Sequence, residues 1–115
     1  MYVDGFVFAV PRKKMAAYLR LARLGRRLWM HHGALEYREC VGDDVNNRCG
    51  RPFPRLLGLK RGEVACFSWV AFKSRKHRDQ VNAKVLKDRR IASVTSLPFD
   101  SKRMSYGGFK AVVEA

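Results

Sequence analysis

Strict two-residue alternation at the start of the chain is the feature that most limits how it can fold. From Tyr2 to Val10, large side chains and one acid fall on one side, while small or β-branched residues fall on the other. Successive residues of a β-strand point to opposite faces, so this pattern predicts a strand whose two faces differ. A second run, Glu63 to Phe72, is dense in aromatic and β-branched residues and predicts the strongest strand. The fold must therefore be built around a sheet.

Two segments with helical periodicity separate the strands. The first follows Pro11 and runs to about His31. Its apolar positions cover more than half of the helix circumference, which predicts two burial partners, for example its own sheet and a second subunit. Gly33 occupies the position of a C-cap glycine. The second helix is predicted from an N-cap at Ser74 to about Lys87.

The remaining segments complete an alternating order of elements. Ala34 to Val41 is predicted as a strand, Asp43 to about Leu59 as a loop, and Lys102 to Val113 as a last strand in which Gly107 and Gly108 mark a bulge or a close backbone approach. The order β-α-β-β-α-β predicts an α+β, ferredoxin-like fold, with an antiparallel sheet and both helices on one face. Aromatic side chains on the other face predict a homodimer formed through that face.

Length and cysteine content limit the class of protein. A chain of 115 residues fits a single domain spanning 1–115. Three cysteines at Cys40, Cys49 and Cys66 form no C-x-x-C pair and no metal-finger pattern, which favours a reducing, cytoplasmic location. No apolar run reaches the roughly 18 residues needed to cross a bilayer, so no membrane association is expected. No cofactor is expected either.

The net charge of +14 predicts affinity for polyanions unless it is only surface background. The segment 12–32 holds seven Lys or Arg residues and no acid, and the segment 73–90 holds eight against two acids. If both helices lie on one sheet face, they form a basic surface that could follow phosphates without reading bases. RNA binding through this surface is the alternative function that the sequence supports.

Two histidines, His31 and His32, open a stretch of titratable residues, but adjacent helical residues point about 100° apart and cannot bind a metal as an i, i+4 pair. No metal site is therefore expected. On the next strand, Glu39 lies on the apolar side, and Asp4 is in the same situation on the first strand. Such a carboxylate either pairs with a cation, here Arg103 or Arg38, or has a raised pKa suited to proton transfer.

Several blocks resemble the YbaA-like family of small bacterial proteins: YVDGF (2–6), HGALEYREC (32–40), FSW (67–69), KSRKHRDQVNAKV (73–85) and PFDSKRMSYGGF (98–109). The resemblance extends nearly from end to end. It implies a dimeric α+β barrel, in which two ferredoxin-like sheets face each other. It does not imply a function, because the family is usually described as uncharacterised.

Barrels of this kind often hold a small ligand between sheet and helices, and include cofactor-independent oxygenases and isomerases. By this analogy a pocket is expected, with a small-molecule ligand or cofactor-independent chemistry; whether the protein is an enzyme is left open. The residues predicted for the pocket are Asp4 and Glu39 as catalytic acid or base, Arg38 and Arg103 as anion-binding groups, and Trp69, His77 and Tyr106 as ligand-binding lining.

Overall fold

A computed structural model describes residues 1–115, in which four strands and three α-helices alternate along the chain. The elements are β1 (Tyr2–Pro11), α1 (Met15–His31), β2 (Glu36–Val41), α2 (Phe53–Leu57), β3 (Glu63–Phe72), α3 (Arg75–Lys87) and β4 (Ser105–Lys110). Short 3₁₀ helices lie at Arg12–Lys14, Arg89–Ser93 and Ser101–Arg103. No helix is long and apolar enough to cross a membrane.

The four strands form one antiparallel sheet in the order β2-β3-β1-β4. All four predicted strands and both predicted long helices are present, so the α+β class is confirmed. The loop predicted from Asp43 to Leu59 is wrong in part, because it contains α2. Pro52 precedes this helix and Gly58, at φ 58°, ends it in the left-handed conformation that glycine adopts most easily.

The last strand is shorter than predicted and has no bulge. Gly107 and Gly108 pair with Gly5 and Asp4 of β1 in continuous register. The predicted close approach is present instead, since the hydroxyl of Tyr2 occupies the space that a Cβ on Gly108 would need. The glycine pair therefore admits a tyrosine side chain against the strand.

Both long helices pack on the same face of the sheet. Leu28 of α1 and Val81 of α3 share a buried cluster with Phe72 of β3, and Tyr18 of α1 packs against Phe8 of β1 in a second cluster. Leu19, an apolar residue of α1, is 39% exposed in the single chain. This arrangement positions every side chain of the candidate site.

The opposite face, here called the open face, carries the alternate residues of the strands. Register and alternation place the following side chains on it: Val3, Val7, Phe67, Trp69 and Phe109. Phe67 and Phe109 are 43% and 64% exposed. Only α2 covers part of this face, where Phe53 contacts Phe67 with ring centroids 6.3 Å apart.

Candidate functional site

A cavity of about 360 Å³ lies between α1, the helix-bearing face of the sheet and the segment that follows α3; it is called the α1 cavity below. Sixteen of its twenty lining residues are hydrophobic. Polar groups enter it through Tyr18, Tyr37, Glu39 and Ser68. The α1 cavity is therefore an apolar space with a small polar cluster on its wall.

Glu39 is the centre of this polar cluster. Tyr18 of α1 donates a hydrogen bond to Glu39 Oε2 at 2.5 Å, and Tyr37, two residues away on β2, donates to Oε1 at 2.8 Å. Both oxygens of the carboxylate are thus satisfied by hydroxyl groups without a cation. Ser68 lies opposite Glu39 in the β2–β3 register and is 6% exposed.

Burial and the Glu39 carboxylate together raise the pKa values of the neighbouring tyrosine and cysteine side chains. Burial, reinforced by the hydrogen bond and the negative charge of Glu39, raises the pKa of Tyr18 far above its usual value, and the same causes raise the pKa of Tyr37. Both hydroxyls therefore keep their protons at physiological pH. Burial likewise raises the pKa of the Cys66 thiol to about 11, so this cysteine is not a ready nucleophile.

Gly25 makes the position of Tyr37 possible. It is buried in the middle of α1, and a Cβ at this position would overlap the Tyr37 hydroxyl. A glycine inside a helical pattern costs about 1 kcal/mol relative to alanine and usually has a packing reason. Here the missing side chain lets Tyr37 reach between the helix and its own strand to bind Glu39.

Asp4 does not belong to the α1 cavity. It is buried, and its Oδ1 accepts a 2.6 Å hydrogen bond from Arg78 of α3, whose guanidinium also lies over the Tyr2 ring. The sequence correctly required a partner for this carboxylate but named Arg103 or Arg38, and that pairing is wrong. Alternation along β1 shows which face Asp4 occupies, whereas only the packing of α3 shows which arginine lies opposite.

Arg103 is also placed away from the cavity. Its two terminal nitrogens donate to both oxygens of Glu63, at 2.7 and 2.9 Å, and it donates to the carbonyl oxygens of Leu57 and Gly58 at the end of α2. The hydrogen bonds from Arg103 lower the pKa of Glu63 to about 2. This arginine joins three segments of the chain, and its charge is already paired with Glu63.

The other predicted lining residues are divided. Tyr106 is 71% exposed and stacks on Phe6, and the Nδ1 atom of His77 accepts a hydrogen bond from the backbone N–H of Lys73 at 3.0 Å. Neither borders the cavity. Arg38 and Trp69 do border it, although alternation points their side chains to the open face. Of the seven predicted residues, Glu39, Arg38 and Trp69 meet at the cavity and the other four do not.

Three residues of the polar cluster were missed as site residues: Tyr18, Tyr37 and Ser68. In the sequence Tyr18 is only one member of the apolar arc of α1, and Ser68 lies between two aromatic residues of a strand. The isolated Gly25, about two helical turns beyond Tyr18, was the signal that something large approaches this helix.

His32, one of the two histidines that open the titratable stretch, has a structural role. His32 Nε2 lies 2.8 Å from Asp88 Oδ2, and Arg90 also pairs with this carboxylate. These contacts tie the end of α1 to the segment that follows α3. No three His, Cys, Asp or Glu side chains converge as a metal site requires.

Comparison with known proteins places this geometry in a family. The family model for a protein of unknown function (DUF1428) matches residues 1–101. The uncharacterized protein YbaA of Escherichia coli K12 is 39% identical over 114 residues, covering 98% of this chain and 97% of the relative. The chain belongs to the DUF1428 family, whose YbaA-like members it was predicted to resemble. YbaA of Shigella flexneri matches it to the same extent.

A structural comparison supports the fold of this DUF1428 protein. The crystal structure of an uncharacterized NIPSNAP domain protein from Burkholderia xenovorans aligns with a TM-score of 0.63 over 100% of this chain and 98% of that one. The sequences are 13% identical, so the likeness concerns the fold alone.

Proposed function

We propose that this DUF1428 protein binds a small apolar molecule in the α1 cavity. The observation that carries the proposal is the Tyr18–Glu39–Tyr37 cluster on the wall of an otherwise apolar space of about 360 Å³. Small-molecule sites have volumes of roughly 300–1,000 Å³ and combine apolar walls with a few placed polar groups. The cavity fits that description.

Glu39 is the group that could carry chemistry in this site. A carboxylate on the wall of a mostly apolar cavity can accept a proton from a bound molecule and return it, and such a step needs no cofactor. Tyr18 and Tyr37 hold the carboxylate in place through their hydroxyl protons. Cofactor-independent proton transfer is therefore the reaction class that best suits the cluster.

A thermal-shift screen of small apolar compounds tests binding in the cavity. Ala22 lines the cavity and Ala16 is exposed on the same helix, so Ala22→Leu narrows the cavity while Ala16→Leu makes the same change outside it. Compounds that bind in the cavity should raise the Tm of the wild type and of Ala16→Leu, and should lose this effect in Ala22→Leu. Equal shifts in all three proteins would place binding elsewhere.

A ferredoxin-like homodimer is the assembly that we infer. The strand order, with two helices on one face, supports the ferredoxin-like assignment. The open face has an aromatic centre, and its charged border at Arg38 and Glu36 is already compensated by a 3.4 Å ion pair. Such a face can meet a second copy despite the net charge of +14. At normal strand rise and spacing the four strands present about 500 Å² of the roughly 800 Å² per partner that a standard interface buries.

Light scattering coupled to size exclusion tests the dimer. A mass of twice 13.2 kDa is expected for the wild type, and Phe109→Glu, at an exposed aromatic position of the open face on the edge strand β4, should give single chains. Tyr106→Glu changes an exposed aromatic residue of β4 on the helix-bearing face of the sheet and should leave the dimer intact. A wild type that elutes as a single chain would refute the dimer.

The free thiols of Cys40, Cys49 and Cys66 favour a reducing, cytoplasmic compartment for the protein.

RNA binding is the second candidate, and a basic groove favours it. Arg26, Arg27 and Arg38 line an open concavity beside β2 together with Met30, Leu35, Glu36 and Tyr37. Anisotropy titrations of an RNA hairpin at several salt concentrations would show a steep logarithmic slope if several phosphates are contacted. Replacing Arg26 and Arg27 with Gln should then lower that slope, whereas Arg55→Gln, on α2, should not. Weak binding that vanishes by physiological salt would assign the charge to background.

A further inference from the structure

The polar cluster of the α1 cavity is rich in hydrogen-bond acceptors and poor in free donors. The hydroxyl protons of Tyr18 and Tyr37 are both committed to Glu39. Each tyrosine oxygen and each carboxylate oxygen still has lone pairs that can accept a hydrogen bond. A bound molecule therefore meets acceptors at this end of the cavity.

Ser68 adds a hydroxyl to the same place. It is 6% exposed and lines the cavity. Its position opposite Glu39 in the β2–β3 ladder brings the two side chains to within about 5 Å at their Cβ atoms. A serine hydroxyl can both donate and accept a hydrogen bond, so Ser68 can bind a polar group of a ligand beside Glu39.

No cation balances Glu39 inside the cavity. Arg38 is the single Lys or Arg residue among the lining residues, and its guanidinium is directed to the Tyr37 carbonyl oxygen and to Glu36. An anionic ligand would place a second negative charge near Glu39 without a compensating group, which is costly where water is excluded. A cationic ligand would form the missing ion pair.

We propose that the α1 cavity is selective for a primary amine carrying an apolar tail, with the ammonium group paired to Glu39 and also hydrogen-bonded to Ser68. An ammonium has three donors and no acceptor, which matches the carboxylate, the serine hydroxyl and a tyrosine oxygen. The apolar walls formed by residues such as Leu24, Leu28 and Trp29 hold the tail. This assignment rests on the proposed function, because it names the ligand class of the same site.

Three probes with the same eight-carbon tail test the head-group preference: n-octylamine, 1-octanol and octanoate. Trp29 lines the cavity, so tryptophan fluorescence reports occupancy during titration at pH 7. The expected result is at least tenfold tighter binding of octylamine than of octanoate. Because the protein carries +14 charges, unspecific attraction would produce the opposite order.

Glu39→Gln and Glu36→Gln form a matched pair of variants for this experiment. Each removes one negative charge from β2, but Glu36 alternates to the other face of the sheet. Glu39→Gln should lose at least tenfold in octylamine affinity and keep its octanol affinity, while Glu36→Gln should behave as the wild type. Ser68→Ala supplies a second, gentler variant and should weaken octylamine binding about fivefold through the lost hydrogen bond.

The possible failures are distinguishable. Tighter binding of octanoate, or octylamine binding that neither Glu39→Gln nor Ser68→Ala weakens, would overturn the amine assignment while leaving the cavity as a binding site. If none of the three probes changes the fluorescence or the Tm at millimolar concentration, both the amine assignment and the proposed function are overturned.

Discussion

Single residues decide how buried Asp4 and half-buried Glu39 of this DUF1428 protein are satisfied. Asp4 and Glu39 lie on the same face of the sheet, yet Asp4 is neutralised by Arg78 and Glu39 is held by two tyrosine hydroxyls. A buried acid with a guanidinium partner is a structural ion pair. An acid whose hydrogen-bond partners are hydroxyl groups has no ion pair and can still bind a cation or a proton. For this reason Glu39, and not Asp4, is the candidate for function.

Replacing Gly25 with Ala is the sharpest residue-scale test of the polar cluster. Alanine improves helix propensity by about 1 kcal/mol, but its Cβ would overlap the Tyr37 hydroxyl, so a net loss of roughly 1–3 kcal/mol is expected. In a Tyr37→Phe background the hydroxyl is absent, and the same substitution should cost much less. Urea unfolding of the four proteins measures the coupling; equal effects in both backgrounds would show that Tyr37 does not fill this space.

At the scale of elements, local signals and long-range contacts have separate roles. Ser74 ends the loop after β3 and accepts a hydrogen bond from the backbone N–H of His77 at 3.1 Å, a cap that the sequence predicted. Arg103 instead joins β3, α2 and the segment before β4, which are far apart in the chain. The hydrogen bond to Ser74 starts α3, whereas the contacts of Arg103 hold separate elements against each other.

Removal of the α3 cap should have a modest, local effect. Ser74→Ala is expected to lower the free energy of unfolding by about 1 kcal/mol, because one N–H of the first helical turn loses its acceptor. Ser74→Asp restores an acceptor and should recover most of that loss. Chemical denaturation followed by circular dichroism gives the comparison, and an unchanged stability of Ser74→Ala would show that the cap contributes nothing.

The Glu63–Arg103 pair predicts a specific dependence of stability on acid. Hydrogen bonds from Arg103 depress the pKa of folded Glu63 from 4.5 to about 2. The pair therefore stabilises the fold fully above the unfolded pKa, and this contribution is lost as the pH falls from about 4.5 towards 2. Asp88, whose pKa is also lowered through hydrogen bonds from Arg90 and His32, contributes in the same direction.

Unfolding measured across this pH range tests the contribution of Glu63. Glu63→Gln should be less stable than the wild type at pH 6 and should lose less stability on acidification, because it has no carboxylate to protonate. Glu36→Gln removes an exposed acid with a longer, 3.4 Å ion pair and should leave the pH profile nearly unchanged. A Glu63→Gln profile that is parallel to that of the wild type would contradict the role assigned to this pair.

At the scale of the whole molecule, most of the positively charged side chains have no acidic partner. Of the 24 Lys and Arg residues, only Arg38, Arg78, Arg90 and Arg103 make ion pairs. The other cations repel one another across the surface, and this repulsion opposes compact folding. Dissolved salt screens such exposed charges over about 10 Å at 0.1 M.

Added salt should therefore stabilise the fold. Raising NaCl from 20 to about 300 mM is expected to increase the Tm, because screening relieves more repulsion than it removes attraction. A variant with Arg20 and Arg23 of α1 replaced by Gln has less repulsion and should gain less from the same salt. Differential scanning calorimetry provides the measurement, and a Tm that falls with NaCl would mean that the ion pairs outweigh the repulsion.

The sequence by itself determined the α+β class, the four strands, the two long helices and the side of the sheet on which each strand residue lies. These follow from local rules: alternation every two residues, helical periodicity, and caps at Ser74 and Gly33. The family was also visible, because residue blocks along nearly the whole chain carry it.

Only the tertiary structure decided the partners of the buried groups. Arg78 rather than Arg103 faces Asp4, Tyr18 reaches Glu39 from 21 residues away, and Arg103 binds Glu63 across 40 residues. Such pairings depend on how α1, α3 and the segment before β4 settle on the sheet. Periodicity in the sequence predicts which face of an element a side chain occupies, whereas the packing of the elements determines which residues it contacts.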